Sequence, residues 1–395
     1  MGFYTSPSFF LALAVLIVPA AVLGFTERSI KGYGLLASCA MLACLFAGSL
    51  QGFAAFALFV AVSSASTYAV LRSWTRGSKS IAVYRVALCA TIAPLVVYKV
   101  SAAFDGNLLG FIGISYLTFK AVQVLIEIRD GLIKELTATD YLHFLLWFAT
   151  FTSGPIDRSR RFTEDTHAHR TRSEYADLLT RGILLLLVGA VFQLVIATIM
   201  RAFYDPASVA NTAGVFTVDA LGLPAWLREI AVAYGYALYL FFDFAGYSLM
   251  AMGVSYCFGI RCPRNFRAPF AAVDIKDFWN RWHITLSTWL RDFVFMRFVR
   301  AATKRKLFSN RVQTACAGYC VNMLLMGAWH GLTPGYLAYG AYHGVLLAAT
   351  EVYQKRSKWY KRNRKKGWYQ MLSWFVTLQL VVIGFALFSG QIHLA

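Results

Sequence analysis

The sequence predicts an all-α, polytopic membrane fold, with about eleven spanning helices plus re-entrant or interfacial helices. Three observations point to it. Hydrophobic residues make up 58% of the 395 and charged residues 14%, where a soluble domain carries about 25% charged. Uncharged runs reach spanning length, since about 20 apolar residues cross a hydrocarbon core roughly 30 Å thick. Basic residues gather between those runs, as the positive-inside rule requires of inner loops.

Met1 to Thr26 carries no charged side chain. It lacks the basic start of a cleaved signal, so it reads as a retained first span over 8–25. Gly32 to Leu71 is uncharged for 40 residues, which predicts spans over 33–50 and 52–71 with a turn near Gln51-Gly52. Further spans are expected over 81–98, 108–126 and 140–155; the last two are charged or short, and re-entrant segments fit them as well. Asp157 to Arg181 is a long polar stretch opened by the helix-breaking Gly154-Pro155. Its His167 and His169 have no third ligand nearby, so a solvated loop is expected there and no metal site. Apolar runs resume over 182–200 and 231–257, then over 312–330 and 335–353 with a turn at Gly331 to Gly335, and finally over 369–389. No internal repeat separates these segments. A single membrane domain over 1–395 is expected, made of N-terminal helices (1–105), a central core (106–350), and a basic loop with a last helix (351–395).

Loop charge sets the expected orientation. Ile260 to Arg311 holds 12 Lys/Arg against 3 acids, and Lys355 to Lys366 holds 8 basic residues and no acid. Both stretches belong inside, with the N-terminus and the neutral loop after His330 outside. The net charge of +19 is therefore loop charge and not the basic face of a nucleic-acid binder, so no nucleic-acid partner is expected. The 7 cysteines form no Cys-x-x-Cys and read as small core residues.

Two of the 7 histidines sit beside tryptophan in apolar surroundings, in Trp279-Asn280-Arg281-Trp282-His283 and in Gly327-Ala328-Trp329-His330-Gly331. An ionisable side chain in a membrane protein is a functional candidate by default. A desolvated histidine stays neutral, as a general base must. Over 272–299, Phe278, Trp282, Leu286, Trp289 and Phe293 recur at helical spacing. Asn280, His283, Ser287 and Arg291 recur on another face. One amphipathic helix in the interface or dipping inward is expected. Asn322, Met326 and His330 are four apart and share a helix face. Asp243 is an acid isolated in an apolar run and fits a hydrogen-bond hub and a site residue equally. His343, among aromatic and small residues, reads as structural. Serine-hydrolase, zinc-protease and phosphate-loop signatures are absent. Transfer onto a hydroxyl, with histidine as base, is the simplest chemistry left. A proton-coupled transporter is the rival from another class, although the paired halves of such proteins are missing.

Asp243-Phe244-Ala245-Gly246-Tyr247-Ser248, Phe278 to Ser287, and Trp329-His330-Gly331 together resemble the membrane-bound O-acyltransferase (MBOAT) family. Within it, Thr152 to Phe162, Phe293 to Arg297 and Asn322 to Gly327 resemble the branch that carries D-alanine to teichoic acid in the cell envelope. That resemblance implies a ring of helices around a thin centre, with His330 catalytic and His283 the second site histidine. Asn280, Trp282, Ser287, Asn322, Trp329 and Asp243 are the expected substrate-binding or supporting residues. The donor would be D-alanine as a thioester on the phosphopantetheine of a carrier protein, with no metal and no bound cofactor. Arg291, Arg297, Val299, Arg305 and Lys306 would dock that carrier. Other membrane proteins of the pathway, the teichoic acid acceptor and the lipid bilayer complete the expected partners. The rival within the family is a polysaccharide O-acetyltransferase of the alginate type. Those enzymes tend toward Pro-Leu-Gly-Gly where this chain has Phe295-Met296-Arg297-Phe298.

Overall fold

The structure, a computed structural model, describes residues 3–205, 207 and 217–392. Among the described residues every regular element is helical. The chain forms two compact units, one of residues 1–190 and 246–264, the other of residues 191–245 and 265–395.

The first unit begins with α1 (Pro7–Phe25), whose start is set by Pro7 and by Ser6 Oγ accepting from Phe9 N at 3.3 Å. α2 (Lys31–Phe46) and α3 (Leu50–Thr75) follow. The break between them falls at Ala47 to Ser49, slightly before the expected Gln51-Gly52. Ser49 caps α3 by accepting from Gly52 N at 3.0 Å, which draws residues 51 and 52 into the helix. α4 (Ile81–Ala102) is capped in the same way by Ser80.

α5 (Ile114–Arg129) is buried along almost its whole length yet carries Lys120, Gln123 and Glu127. Lys120 Nζ donates to Phe144 O and Thr150 Oγ1, both at 3.2 Å. Gln123 Nε2 donates to Asp157 O at 3.0 Å, and Ser159 Oγ donates to Glu127 Oε2 at 2.7 Å. Two of these bonds satisfy backbone carbonyls, Phe144 O and Asp157 O, on either side of residues 147–158, which leave the α-helical course. The segment expected over 140–155 is accordingly α6 (Ala138–Leu146), one 3-10 turn (Phe148–Thr150) and an extended stretch. The polar stretch 157–181 is largely helix, α7 (Ser159–His167) and the start of α8 (Arg172–Ala190), and the expected exposed loop is confined to 168–171, with His167 at its edge. Arg161 ties it together by pairing with Asp157 and with Asp165.

In the second unit a π-helical turn (Val191–Ile196) leads into α9 (Ala197–Tyr204). α10 (Ala225–Cys257) contributes its residues up to Ala245. The amphipathic helix expected over 272–299 is instead broken into α11 (Ile275–Trp279), α12 (Ile284–Leu290), a π turn (Arg291–Phe295) and α13 (Met296–Lys304). α14 (Arg311–His330) and α15 (Pro334–Arg356) form an antiparallel hairpin, followed by α16 (Lys358–Asn363) and α17 (Gly367–Ser389). The hairpin closes tightly at Gly327 and Gly340: a methyl at either would collide with a backbone carbonyl of the facing helix, Tyr336 O or Met323 O. Small residues at such crossings let helix backbones approach.

Among the described residues six helical stretches are long and apolar enough to cross a membrane: Pro7–Phe25, Leu50–Thr75, Ile81–Ala102, Arg172–Tyr204 (α8, the π turn and α9 together), Ala225–Cys257 and Gly367–Ser389. Five further segments were expected to span. Of these, α2 and α5 have 16 residues each and α6 has 9, short of the roughly 20 a straight crossing needs. α14 and α15 have 20 and 23 residues, but glycine, Asn, Gln and His dilute their apolar character.

Candidate active site

The site is built in the second unit. Its first anchor is the break at His283. The chain leaves α11 at Asn280, and His283 caps α12 with φ 43° and ψ 52°. A left-handed backbone is uncommon for a residue with a Cβ, and it marks a position that the surrounding structure holds in place. Asn265 does much of the holding. Its carbonyl accepts from Ile284 N at 2.8 Å, and its Oδ1 accepts from Thr285 Oγ1 at 2.6 Å. Arg267 N donates to Arg281 O at 3.0 Å, closing the turn from the other side. Beside it, Trp282 is fixed among Phe266, Phe278 and Phe385 at centroid distances of 5.0, 5.7 and 4.8 Å.

The His283 ring is 4% exposed. Phe244 meets it edge to face at 4.6 Å and 89°, and its Nε2 has no partner among the described residues. Burial, and secondarily the neighbouring His330, hold this imidazole well below its ordinary value and therefore neutral. A neutral ring with an unsatisfied nitrogen is equipped to exchange a hydrogen bond with a substrate.

His330 ends α14, where Gly331 stops the helix. Trp329 lies 4.6 Å from its ring, Tyr336 is stacked at 5.9 Å, and Phe388 stands edge-on at 4.9 Å and 89°. The helix end and the aromatic walls fix the ring's position.

A cavity of about 240 Å³ is lined by Trp279, Asn280, Ser287, Arg291, Asn322 and Met326, among others. Tyr319, Met323 and Met326 line it as well, so one face of α14 forms its wall and continues at the same four-residue step to His330. Tyr319 and His330 are about 16 Å apart along that helix at 1.5 Å per residue. Two buried polar atoms near this wall, Trp279 Nε1 and Asn322 Oδ1, have no partner among the described residues. Lys276 and Arg291 also line the cavity; Lys276 pairs with Glu351 and with Gln354 Oε1 at 3.0 Å, and Arg291 with Asp292 at 2.8 Å.

Four of the residues singled out from sequence, Asn280, Ser287, Arg291 and Asn322, thus meet in one cavity. Ser287 Oγ also donates to Trp282 O at 3.2 Å. Trp282 and Trp329 pack against the site as walls. Asp243 is half-buried and accepts from Gln193 Nε2 at 3.3 Å. Arg297 lies 5.9 Å over Phe293, and Val299 packs toward Gly318. Arg305 and Lys306 are exposed just past α13, beside exposed Leu307 and Phe308. His343 is completely buried, with Trp279 and Tyr339 at 5.2 and 4.7 Å, in keeping with a structural place. Sequence reasoning missed Asn265 and Phe388, and it placed Phe244 in a motif without its contact to His283. The three come from separate segments, and only the tertiary fold brings them to the histidines. No metal site is formed among the described residues by groups of three or more His, Cys, Asp or Glu.

Residues 47–387 match the model of MBOAT, the membrane-bound O-acyltransferase family. The teichoic acid D-alanyltransferase of Bacillus subtilis (strain 168) is 40% identical over 399 residues, covering 98% of each chain. That of Streptococcus thermophilus is 36% identical over 404 residues, covering 99% of this chain and 95% of its own. The probable alginate O-acetylase AlgI of Pseudomonas syringae pv. tomato is 33% identical over 298 residues, 72% of this chain and 50% of its own.

Proposed function

The chain belongs to the membrane-bound O-acyltransferase family, and from that premise we propose that it is a multi-pass membrane acyltransferase that moves D-alanine onto teichoic acid. The observation that carries the reading is full-length identity of 36–40% to teichoic acid D-alanyltransferases, combined with two histidines and a cavity of matching chemistry. The finer points that follow are our proposal too: a carrier-protein donor, the residue roles, one membrane domain over 1–395 with further crossings by its shorter helices, and an outside N-terminus.

The reaction exchanges a thioester for an ester. The donor is D-alanine held as a thioester on the phosphopantetheine arm of a carrier protein, and it needs no group resident on this chain. The cavity receives the arm beside Trp279, Asn280, Ser287 and Asn322, whose polar atoms offer it hydrogen bonds. His330 takes the proton from the acceptor hydroxyl as the oxygen attacks the thioester carbonyl. The carbon–sulfur bond breaks, and the departing thiolate recovers the proton. His283, buried and neutral, orients the acceptor. A positioned base of this kind contributes about 10²–10⁴ in rate. The basic, partly apolar surface of Arg291, Arg297, Val299, Arg305 and Lys306 docks the carrier, and charge steering speeds the encounter.

The test is transfer of labelled D-alanine in proteoliposomes, supplied on the carrier protein, with teichoic acid as acceptor and any further membrane proteins of the pathway included. Wild-type protein should form D-alanyl ester. Failure to do so, with concentrative uptake of a solute in its place, would return the transporter reading.

A further inference from the structure

The first unit holds a polar cavity that the proposed reaction does not use. It has a volume of about 110 Å³ and lies among the α1–α2 turn, the end of α7 and the turn after α10. Arg28, Lys31, His143, His167, His169 and Arg170 face it, with two acids, Glu27 and Asp165.

The acids are already engaged. Asp165 accepts from Arg161 Nη1, Arg170 Nη2 and Arg261 N at 3.0, 2.8 and 2.8 Å. Glu27 Oε1 accepts from Arg172 N at 2.8 Å. The nearby Asp140 pairs with Lys31 at 2.6 Å and with His167 at 2.8 Å. Arg28 and His169 have exposed side chains.

The decisive group is His143. It is 1% exposed, and neither ring nitrogen has a partner among the described residues. Its ring is wedged between Trp147 and Phe162, at 5.5 and 5.1 Å. In any tautomer it presents at least one buried N–H, and leaving such a donor unmade is costly. An acceptor in the cavity would satisfy it.

We propose that this cavity binds a phosphate group, supplied either by a phospholipid headgroup or by free phosphate. A phosphate is acceptor-rich and anionic, which suits histidine and arginine donors whose acidic neighbours are already paired. The cavity's volume of about 110 Å³ accommodates a phosphate group, since about 10–15 Å³ of such space holds one water. A lipid source would lie in the inner leaflet, which rests on the orientation proposed above. The site itself does not depend on the acyltransferase reading.

The test uses the full chain, delipidated in a non-ionic detergent and phosphate-free buffer. Inorganic phosphate is titrated by calorimetry at constant ionic strength against chloride. A second arm uses dihexanoyl phosphatidylglycerol against dihexanoylglycerol, which lacks the phosphate. Binding of inorganic phosphate identifies free phosphate as a sufficient ligand. Binding of the phospholipid alone identifies a headgroup. In either case Arg28→Gln with His169→Gln, both exposed positions, should weaken binding roughly 10- to 100-fold for each charge-assisted hydrogen bond lost. His143→Phe should weaken binding while leaving the unliganded protein at least as thermostable, because the ring packing is kept and the orphaned nitrogens are gone. The proposal is overturned if neither phosphate compound binds, or if the variants bind as wild type does.

Discussion

His330 and His283 have different surroundings, and that difference gives them different expected sensitivities. His330 sits at a helix end between aromatic rings, and His330→Ala should reduce transfer by about 10²–10⁴ while leaving helical content and membrane insertion unchanged. His283→Ala should be impaired by a similar or smaller factor. Wild-type turnover by a well-folded His330→Ala protein would remove the assignment. Because burial keeps His283 neutral when folded, its sign in stability follows. The folded group resists protonation, while the unfolded one takes a proton near pH 6.5. Stability from this residue is therefore level above about pH 6.5 and falls as pH drops below it. Thermal unfolding of His283→Gln should show a shallower acid decline than wild type between pH 6.5 and 5; parallel declines would contradict the buried neutral ring.

At the scale of elements, the turn before α12 matters most. Asn265→Ala leaves the buried Thr285 hydroxyl without its 2.6 Å acceptor. The expected cost is about 1–3 kcal/mol, with a loss of turnover beyond what the stability change explains. Restored turnover in Asn265→Asp, which keeps the acceptor, would separate this role from general damage. This turn also shows what the sequence could not reveal. The period of Phe278, Trp282, Leu286 and Trp289 marks a buried apolar set, and all four are buried. The same period suggested one helix, because a left-handed residue at His283 leaves no mark when the residue is not glycine. Likewise the polar face of α5 reads as an interrupted span until Lys120 and Gln123 are seen to bond the carbonyls of Phe144 and Asp157. Histidine–tryptophan pairs were legible because their chemistry is local. The residues that orient them were not, because they come from distant segments. The α14–α15 hairpin offers a further check. Gly340→Leu should strongly lower thermal stability, since overpacking costs about 1–3 kcal/mol or more; an unchanged unfolding temperature would argue against close packing there.

For the whole molecule, charge placement and hydropathy gave the membrane class, and motif order pointed to the family that full-length similarity then supplied. What remains open to direct test is the donor. A carrier protein must dock on a surface, and the exposed Arg305 and Lys306 beside Leu307 and Phe308 provide a basic and apolar one. Arg305→Glu with Lys306→Glu should slow carrier-dependent transfer roughly tenfold at low salt and flatten its salt dependence, because steering by surface charge is screened within about 10 Å at 0.1 M. Unchanged rates and salt dependence would place the carrier elsewhere. The most direct measurement of the central claim sets two donors side by side in the same reconstituted membranes: carrier protein charged with labelled D-alanine, and labelled acetyl-coenzyme A. Labelled ester on teichoic acid should form from the carrier, with none above background from acetyl-coenzyme A. Efficient use of acetyl-coenzyme A, with the charged carrier ignored, would contradict that claim.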